Sequence, residues 1–118
     1  MEEERDLYSR WLFTRGFDVL STPRGRVALW LLQRHHVEFI VLQSQLHDMS
    51  ALGFLRRLRS HSSTTEVPVV VLVDTIDMTI DRALRKAGAS AILQNLGNFG
   101  YLERTVDGLR RQSRRRLN

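Results

Sequence analysis

The sequence predicts an α/β domain in which a parallel β-sheet carries helices on both faces. Short aliphatic runs without polar residues, at positions 39–42 and 69–73, are typical of strands that are buried on both sides. Around them lie segments whose apolar residues recur every three or four positions, such as Leu52, Leu55 and Leu58, which is typical of amphipathic helices. Strands that alternate with helices in this way favour a parallel sheet with helical crossovers.

The N-terminal part predicts a helix, a strand and a second helix. The first helix, residues 2–15, is expected to have an apolar face made of Leu7, Tyr8, Trp11 and Leu12. Residues 17–20 alternate between apolar and polar side chains, which predicts a short strand. Residues 25–34 are apolar on most sides and predict the second helix.

The central part predicts a buried strand over residues 39–42, a polar loop over 43–50 and a helix that ends near Arg59. Arg56, Arg57 and Arg59 are expected on the solvent side of this helix. In open parallel sheets ligands bind beyond the carboxyl ends of the strands. The start of the loop is therefore the first place to look for chemistry.

The C-terminal part predicts two further strand–helix pairs. The β-branched strand 69–73 precedes a helix over residues 77–87 that stops at Gly88. A short strand over 89–93 leads to the last helix, which runs from 99 to about 115. The residues expected to face inward are Ile80, Ala83, Leu84 and Ala87 in the fourth helix, and Phe99, Leu102, Val106 and Leu109 in the last.

Composition limits the classes of protein that remain. The 118 residues include no cysteine, which excludes disulfides and thiolate metal sites. No apolar run approaches the roughly 20 residues that cross a bilayer, and the acidic start is unlike a signal peptide. We therefore expect a cytoplasmic protein without membrane contacts. The net charge of +5 equals the charge of the five arginines after position 109, so the rest of the chain is close to neutral.

Several segments resemble, in order and at matching separations, those of response-regulator receiver domains. Residues 37–59 follow the family's central strand, loop and helix without a gap. Residues 16–19 are similar to the turn into its second strand, residues 67–72 to its fourth strand, and residues 83–89 to its Ala-Leu-x-Ala-Gly-Ala segment. The resemblance implies a flavodoxin-like, CheY-like fold with strand order 2-1-3-4-5 and a role in two-component signal transduction and the phosphorelay.

The same resemblance implies that the reaction centre of the family is missing. The phosphate-accepting aspartate falls on Gln43, the switch hydroxyl on Val73, the switch aromatic on Ile92 and the lysine on Asn95. The proline after that lysine falls on Leu96, for which a trans peptide is expected. A neutral amide is neither a nucleophile towards phosphorus nor an anionic ligand for Mg²⁺. We expect no phosphoryl transfer, no enzyme activity, and no metal or other cofactor.

No residues correspond to the family's first strand, which would lie between the segments 17–20 and 39–42. An unpaired strand edge invites pairing with another chain. One interpretation is therefore a homodimer in which a second copy pairs along this edge or exchanges a segment. The other is a longer natural chain that supplies the strand from before Met1.

Two groups of polar residues suggest chemistry only weakly. Glu2, Glu3 and Glu4 suit the start of a helix, where carboxylates favour the dipole, better than they suit a metal site. His47 and Asp48 have the chemistry of an acid–base pair, but no motif places a serine or cysteine nucleophile beside them.

Two surfaces are candidates for partner binding. The resemblance implies a protein-binding face on the last two helices, drawn from Arg82, Arg85, Lys86, Tyr101, Glu103, Arg104 and Asp107. The second is an arginine-rich tail, residues 110–118, after a receiver-like domain of residues 1–109. Its cations, which could contact nucleic acid or simply favour the end of a helix, are Arg110, Arg111, Arg114, Arg115 and Arg116.

These observations favour a protein-interaction module for signalling or scaffolding that works without phosphorylation, through homodimerisation or through another protein. The alternative is an accessory nucleic-acid binder that uses the arginine tail. The tail lacks the interleaved aromatic residues that stack on single strands.

Overall fold

The computed structural model describes the backbone of residues 2–95 and 99–117 and the side chains of residues 3–95 and 99–112. Its helices are α1 (Glu2–Thr14), α2 (Gly25–Arg34), α3 (Ala51–Arg59), α4 (Met78–Ala87) and α5 (Phe99–Leu117), with a 3₁₀ turn at Ser62–Thr64. Its strands are β1 (Ile40–Gln43), β2 (Val69–Val73) and β3 (Ala91–Gln94). All the predicted helices are confirmed, as are the strands other than that at 17–20. Within these ranges no helix is long and apolar enough to cross a membrane.

The strands form one parallel sheet in the order β1-β2-β3. Ile40 lies opposite Val69 and Val70 lies opposite Ala91, so the carboxyl ends of the strands meet at one edge of the sheet. β2 is buried along its whole length, as its unbroken aliphatic run predicts.

The predicted strand over residues 17–20 is wrong, because this segment has no regular secondary structure. A strand persists through ladder hydrogen bonds to a neighbour, and no described strand pairs with these residues. Phe17 instead donates its backbone N–H to the carbonyl oxygen of Leu12 across 3.2 Å. Its ring packs edge-on against that of Phe39, with 5.1 Å between centroids. β1 is therefore the outer strand of the described sheet.

Helices cover both faces of the sheet, which confirms the predicted layering. The core on the face of α3 and α4 consists of Leu42, Ala51, Phe54, Leu55, Leu58, Val69, Val71, Val73 and Leu84. The core on the face of α1 and α5 consists of Val70, Leu72, Leu102 and Val106, with Tyr8, Trp11, Phe99 and Leu109 packed against them.

Local sequence signals fix the ends of the crossover helices. The Ser50 hydroxyl accepts the backbone N–H of Gly53 at 3.1 Å, and the Asp77 carboxylate accepts that of Thr79 at 2.8 Å. Both are N-cap contacts that satisfy donors of the first turn. Gly88 ends α4 with a φ of 113°, in the left-handed region that favours glycine.

Three side chains that were expected to face inward are exposed. Leu7 is 54% exposed, Ile80 is 51% exposed, and Ala83 is also exposed. Of the other residues expected to face inward, Leu12 of α1 and Leu84 of α4 are buried. A helix that packs on one face of a sheet buries a stripe, and apolar residues at the margin of that stripe stay in solvent.

The expectation that Arg59 lies on the solvent side of α3 is also wrong. Its guanidinium is partly buried and donates to the carbonyl oxygens of Thr64, Thr65 and Gly88. The long aliphatic stem of arginine allows a residue at the margin of an apolar face to reach such acceptors.

Candidate functional site

A cluster of polar side chains lies at the carboxyl edge of the sheet. Asn95 Nδ2 donates to Glu4 Oε2 across 2.9 Å, and Gln43 Nε2 lies 3.5 Å from the same oxygen. The Tyr8 hydroxyl donates to Asn95 Oδ1. We call Glu4, Tyr8, Gln43 and Asn95 the polar cluster.

Strand register brings the two amides to one edge. Gln43 is the last residue of β1, and Asn95 directly follows β3. β2 lies between them, and Asn95 continues its ladder by donating its backbone N–H to the carbonyl oxygen of Val73 at 2.7 Å. The first turns of α1 place Glu4 and Tyr8, four residues apart on one helix face, against this edge.

The polar cluster contains one carboxylate, that of Glu4, which faces the amides of Asn95 and Gln43. Burial, and next the negative charge of Glu4, raise the pKa of the Tyr8 hydroxyl above its ordinary 10.0. The phenol therefore stays protonated near neutral pH and can donate to Asn95. Because Asn95 uses its oxygen towards Tyr8 and its nitrogen towards Glu4, both ends of its amide are engaged.

This arrangement offers little chemistry. Amides are not nucleophiles, and a phenol with a raised pKa is a poor one at neutral pH. The Glu4 carboxylate already accepts from both amides. Among the residues that the structure describes, no three carboxylate or imidazole side chains lie close enough together to hold a metal ion.

The sequence anticipated only half of the polar cluster. Gln43 and Asn95 were singled out through the family resemblance, and the structure brings them together through Glu4. Glu4 was interpreted as a charge at a helix start and Tyr8 as an apolar contact. Asn95 lies 91 residues from Glu4, so no local spacing signals their contact.

The other positions that the resemblance singled out lie in the apolar core or outside the described residues. Val73 is 4% exposed at the end of β2. Ile92 packs in the same core, on the face of α3 and α4. Leu96, for which a trans peptide was expected, lies outside the described residues.

Asp48 has a structural contact that accounts for its carboxylate. Its oxygens accept the backbone N–H groups of Gly25 at 2.7 Å and Arg26 at 3.1 Å, at the start of α2. Desolvation opposes its ionisation, but these hydrogen bonds outweigh it and hold the pKa of the carboxyl below its ordinary 3.8. His47 contributes a backbone bond to Pro23 O at 3.0 Å, so the loop ties α2 to the sheet edge.

The candidate protein-binding face lies on the outer sides of α4 and α5. Its exposed members are Arg82, Arg85, Lys86, Tyr101, Arg104 and Asp107, whereas Glu103 is half-buried. Arg85 pairs with Asp81 at 3.0 Å, and Arg104 lies over the Tyr101 ring. Exposed apolar side chains that sequence analysis missed stand at the start of α4: Ile76, Met78 and Ile80.

The arginine-rich segment begins inside the folded domain. The backbone of α5 continues to Leu117. Arg110 pairs with Glu38 at 3.1 Å and lies over the ring of Phe17, so it belongs to the packed surface. Arg111 is exposed. The side chains of Arg114, Arg115 and Arg116 lie outside the described residues.

Comparison of the sequence with known proteins gives one family. The model of the response regulator receiver domain matches residues 2–104. The polar-differentiation response regulator DivK of Brucella ovis is 24% identical over 78 residues, which are 66% of this chain and 63% of that protein. The probable transcriptional regulator ycf27 of Galdieria sulphuraria is 30% identical over 64 residues, 54% of this chain and 24% of that protein. The match therefore spans somewhat under two thirds of DivK and about a quarter of ycf27.

Comparison of the fold gives the same group of proteins. The Vibrio cholerae chemotaxis protein CheY4 superposes with a TM-score of 0.85 at 21% identity, covering 91% of this chain and 89% of that one. The receiver domain of the Pseudomonas aeruginosa sensor histidine kinase PA1611, with a magnesium ion in its active-site cleft, gives 0.84 at 16%, covering 92% and 89%. A Burkholderia pseudomallei response regulator with a phosphorylated aspartic acid gives 0.79 at 22%, covering 89% and 61%.

Proposed function

This chain belongs to the response regulator receiver domain family, and we propose that it signals through protein contacts that do not depend on phosphorylation. The observation that carries the proposal is the polar cluster. At the carboxyl end of β1 the chain presents the amide of Gln43, and the nearby carboxylate of Glu4 accepts from Gln43 and Asn95. An amide has no anionic oxygen with which to attack phosphorus.

The donors at this edge do not fit the divalent cation that receiver chemistry implies. Mg²⁺ prefers carboxylate oxygens in octahedral geometry, and it is reluctant to lose its waters to neutral amides. Glu4 contributes the carboxylate of the polar cluster, and its Oε2 faces two amide donors. The cluster therefore suits a structural role, in which it fixes α1 to the sheet edge.

The face of α4 and α5 is the proposed contact surface for a second copy or another protein in the cytoplasm. It combines exposed arginines with the apolar side chains of Ile76, Met78 and Ile80, of which Met78 is 71% exposed. Methionine and arginine are both enriched in protein–protein interfaces. Nucleic-acid binding by the arginine tail is a separate proposal, with Arg111 as its exposed member inside the described residues.

The experiment is incubation with acetyl phosphate and Mg²⁺, followed by intact mass measurement. The Burkholderia pseudomallei response regulator, whose structure contains a phosphorylated aspartic acid, is the positive control. We expect no phosphate on this chain under conditions that modify the control. Stoichiometric uptake would refute the proposal. Light scattering over a range of concentrations would separate a homodimer from a monomer that needs another partner.

A further inference from the structure

A large cleft runs along the outer edge of β1, between α1 and α2. Its volume is about 1030 Å³, at the upper end of the roughly 300–1,000 Å³ typical of small-molecule pockets. One wall is β1 and the opposite wall is the irregular segment 17–20. We call it the edge cleft. Its position is that of a strand beside β1, and no described residue fills that position.

The backbone of β1 offers hydrogen bonds to this cleft. In a parallel ladder, alternate residues bond to the neighbour on one side. Ile40 and Ser44 donate their backbone N–H groups to β2 or its flank, at 2.9 Å and 3.0 Å. Val41 has the opposite phase, so its N–H and C=O point away from β2 and towards the edge cleft. An open edge of this kind is a template for an added strand.

The walls of the edge cleft specify what kind of strand would fit. Tyr8 and Leu12 of α1 line it from one face of the sheet, and Leu31 and Leu32 of α2 line it from the other. A segment placed between them would be covered on both sides. Strands covered on both sides are continuous aliphatic runs rather than alternating ones.

Arg5 indicates that a segment bound in the edge cleft should also supply a hydrogen-bond acceptor. Its Nε atom is buried and donates to no described atom, and Arg5 lines the edge cleft. A buried donor normally has an acceptor, so the missing acceptor would come from whatever fills the cleft. Arg5 follows Glu4, whose carboxylate lies at the carboxyl edge of the sheet. The acceptor therefore belongs near that end of the cleft.

We propose that the edge cleft binds an extended aliphatic segment of a partner protein as an added strand beside β1, with a carboxylate or carbonyl oxygen for Arg5. The inference rests on the proposed interaction role and gives it a second surface, which shares no residue with the face of α4 and α5. A second copy is a poorer donor. The irregular segment 17–20, which the sequence predicted as a strand, contains Asp18, and the ring of Phe17 already packs on Phe39.

The test is NMR titration of the whole chain with a synthetic peptide. The peptide has five aliphatic residues with an aspartate at one end of that run, and lysines outside this segment keep it soluble. Two control peptides carry N-methyl groups on alternate residues, in opposite phases. An added strand bonds to β1 through alternate residues only, so one phase should abolish binding and the other should preserve it. Shifts are expected at residues 39–43.

Two protein variants test the same geometry. Val41→Pro removes an N–H that β2 does not use, so the sheet should persist while peptide affinity falls at least about tenfold. Arg5→Met should weaken the aspartate peptide by about tenfold and a peptide with alanine in place of aspartate much less. Amide exchange in β2 of each variant confirms that the fold is intact.

Equal loss of affinity with both N-methyl phases, or no binding at millimolar peptide, would overturn the inference. So would a homodimer in which one copy fills the cleft of the other, or a longer natural chain whose own segment before Met1 occupies the cleft. Peptide shifts confined to α4 and α5 would also overturn it, yet would leave the proposed interaction role standing. Phosphate uptake from acetyl phosphate would refute the proposed function. It would not affect the test of peptide binding in the edge cleft.

Discussion

Arg59 Nη2 donates to the carbonyl oxygen of Gly88 across 2.7 Å and thereby joins the end of α3 to the end of α4. The same guanidinium donates through Nη1 to the carbonyl oxygens of Thr64 and Thr65, each at 3.0 Å. We expect Arg59→Met to lower the free energy of unfolding by about 2 kcal/mol, since the carbonyls of Thr64, Thr65 and Gly88 lose a charged donor. Arg56→Met, on the exposed side of the same helix, should change it by less than about 0.5 kcal/mol. Urea denaturation measures both, and equal effects would contradict this role for Arg59.

Gly88 is constrained from two directions. Its φ of 113° disfavours any other residue, and a Cβ at this position would lie 2.6 Å from Arg59 Nε. We expect Gly88→Ala to cost about 2 kcal/mol, because backbone strain and displacement of the guanidinium add together. Gly16 also has a positive φ, of 90°, but nothing lies within 4 Å of its Cβ position. Gly16→Ala should therefore cost less than Gly88→Ala in the same denaturation experiment.

The hydrogen bonds that Asp48 accepts from Gly25 and Arg26 at the start of α2 should make the free energy of unfolding depend on pH. The hydrogen-bonded carboxyl has a pKa below 3.8, so its contribution is complete above that pH and disappears as the pH falls through the lower folded value. Asp48→Asn should lower the melting temperature at pH 7, and the difference from the wild type should shrink at pH 2. Asp6→Asn is the exposed control. A difference that stays constant with pH would exclude the ionised cap.

The hydroxyl of Tyr8 should ionise only at strongly alkaline pH. The chain has 2 tyrosines, so a Tyr101→Phe background isolates Tyr8 for absorbance titration. Burial and the charge of Glu4 raise the pKa above 10.0, and Glu4→Gln should lower it partway because burial is the larger cause. Because the pKa of Tyr8 is raised in the folded state, the protonated phenol contributes to stability below pH 10.0. That contribution is lost as the pH rises through the pKa of Tyr8 in the folded protein. If the pKa of Tyr8 were the same in Glu4→Gln and in the wild type, the charge of Glu4 would not act on the phenol.

In α4, Leu84 is buried and Ile80 is exposed, so substitutions at these two positions should affect different properties. Leu84→Ala should cost about 3 kcal/mol because Leu84 is 4% exposed in the core. Ile80→Ala should cost less than about 0.5 kcal/mol, since Ile80 is 51% exposed. Ile80→Glu should leave the fold intact and weaken any association through the face of α4 and α5. Calorimetry and light scattering together measure these outcomes.

The helix boundaries could be predicted because their causes are local. Asp77 and Gly88 cap α4 through neighbours within a few residues, and Ser50 does the same for α3. The failure at residues 17–20 has the opposite origin. Alternation of side chains favours a half-buried strand, but the strand forms only where a neighbour supplies the ladder.

The polar cluster could be predicted only in part for the same reason. Gln43 and Asn95 stand at strand ends, which sequence patterns locate. Glu4 and Tyr8 reach Asn95 across separations of 91 and 87 residues, and nothing in local spacing encodes those contacts. The buried contacts of Arg59 were missed because its three carbonyl acceptors come from loops rather than from its own helix.

The docking of α1 has a consequence for the order of folding. Trp11 of α1 stacks on Phe99 at 5.2 Å between centroids, and Arg15, directly after α1, pairs with Glu103 at 3.2 Å, so both contacts lead to α5. The strand pairs, by contrast, close within residues 40–94. Among the described helices, α1 is therefore synthesised before the sheet and before α5, the two elements on which it docks. Until α5 has been synthesised, the aromatic residues of α1 lack the ring contacts that Tyr8 and Trp11 make with Phe99.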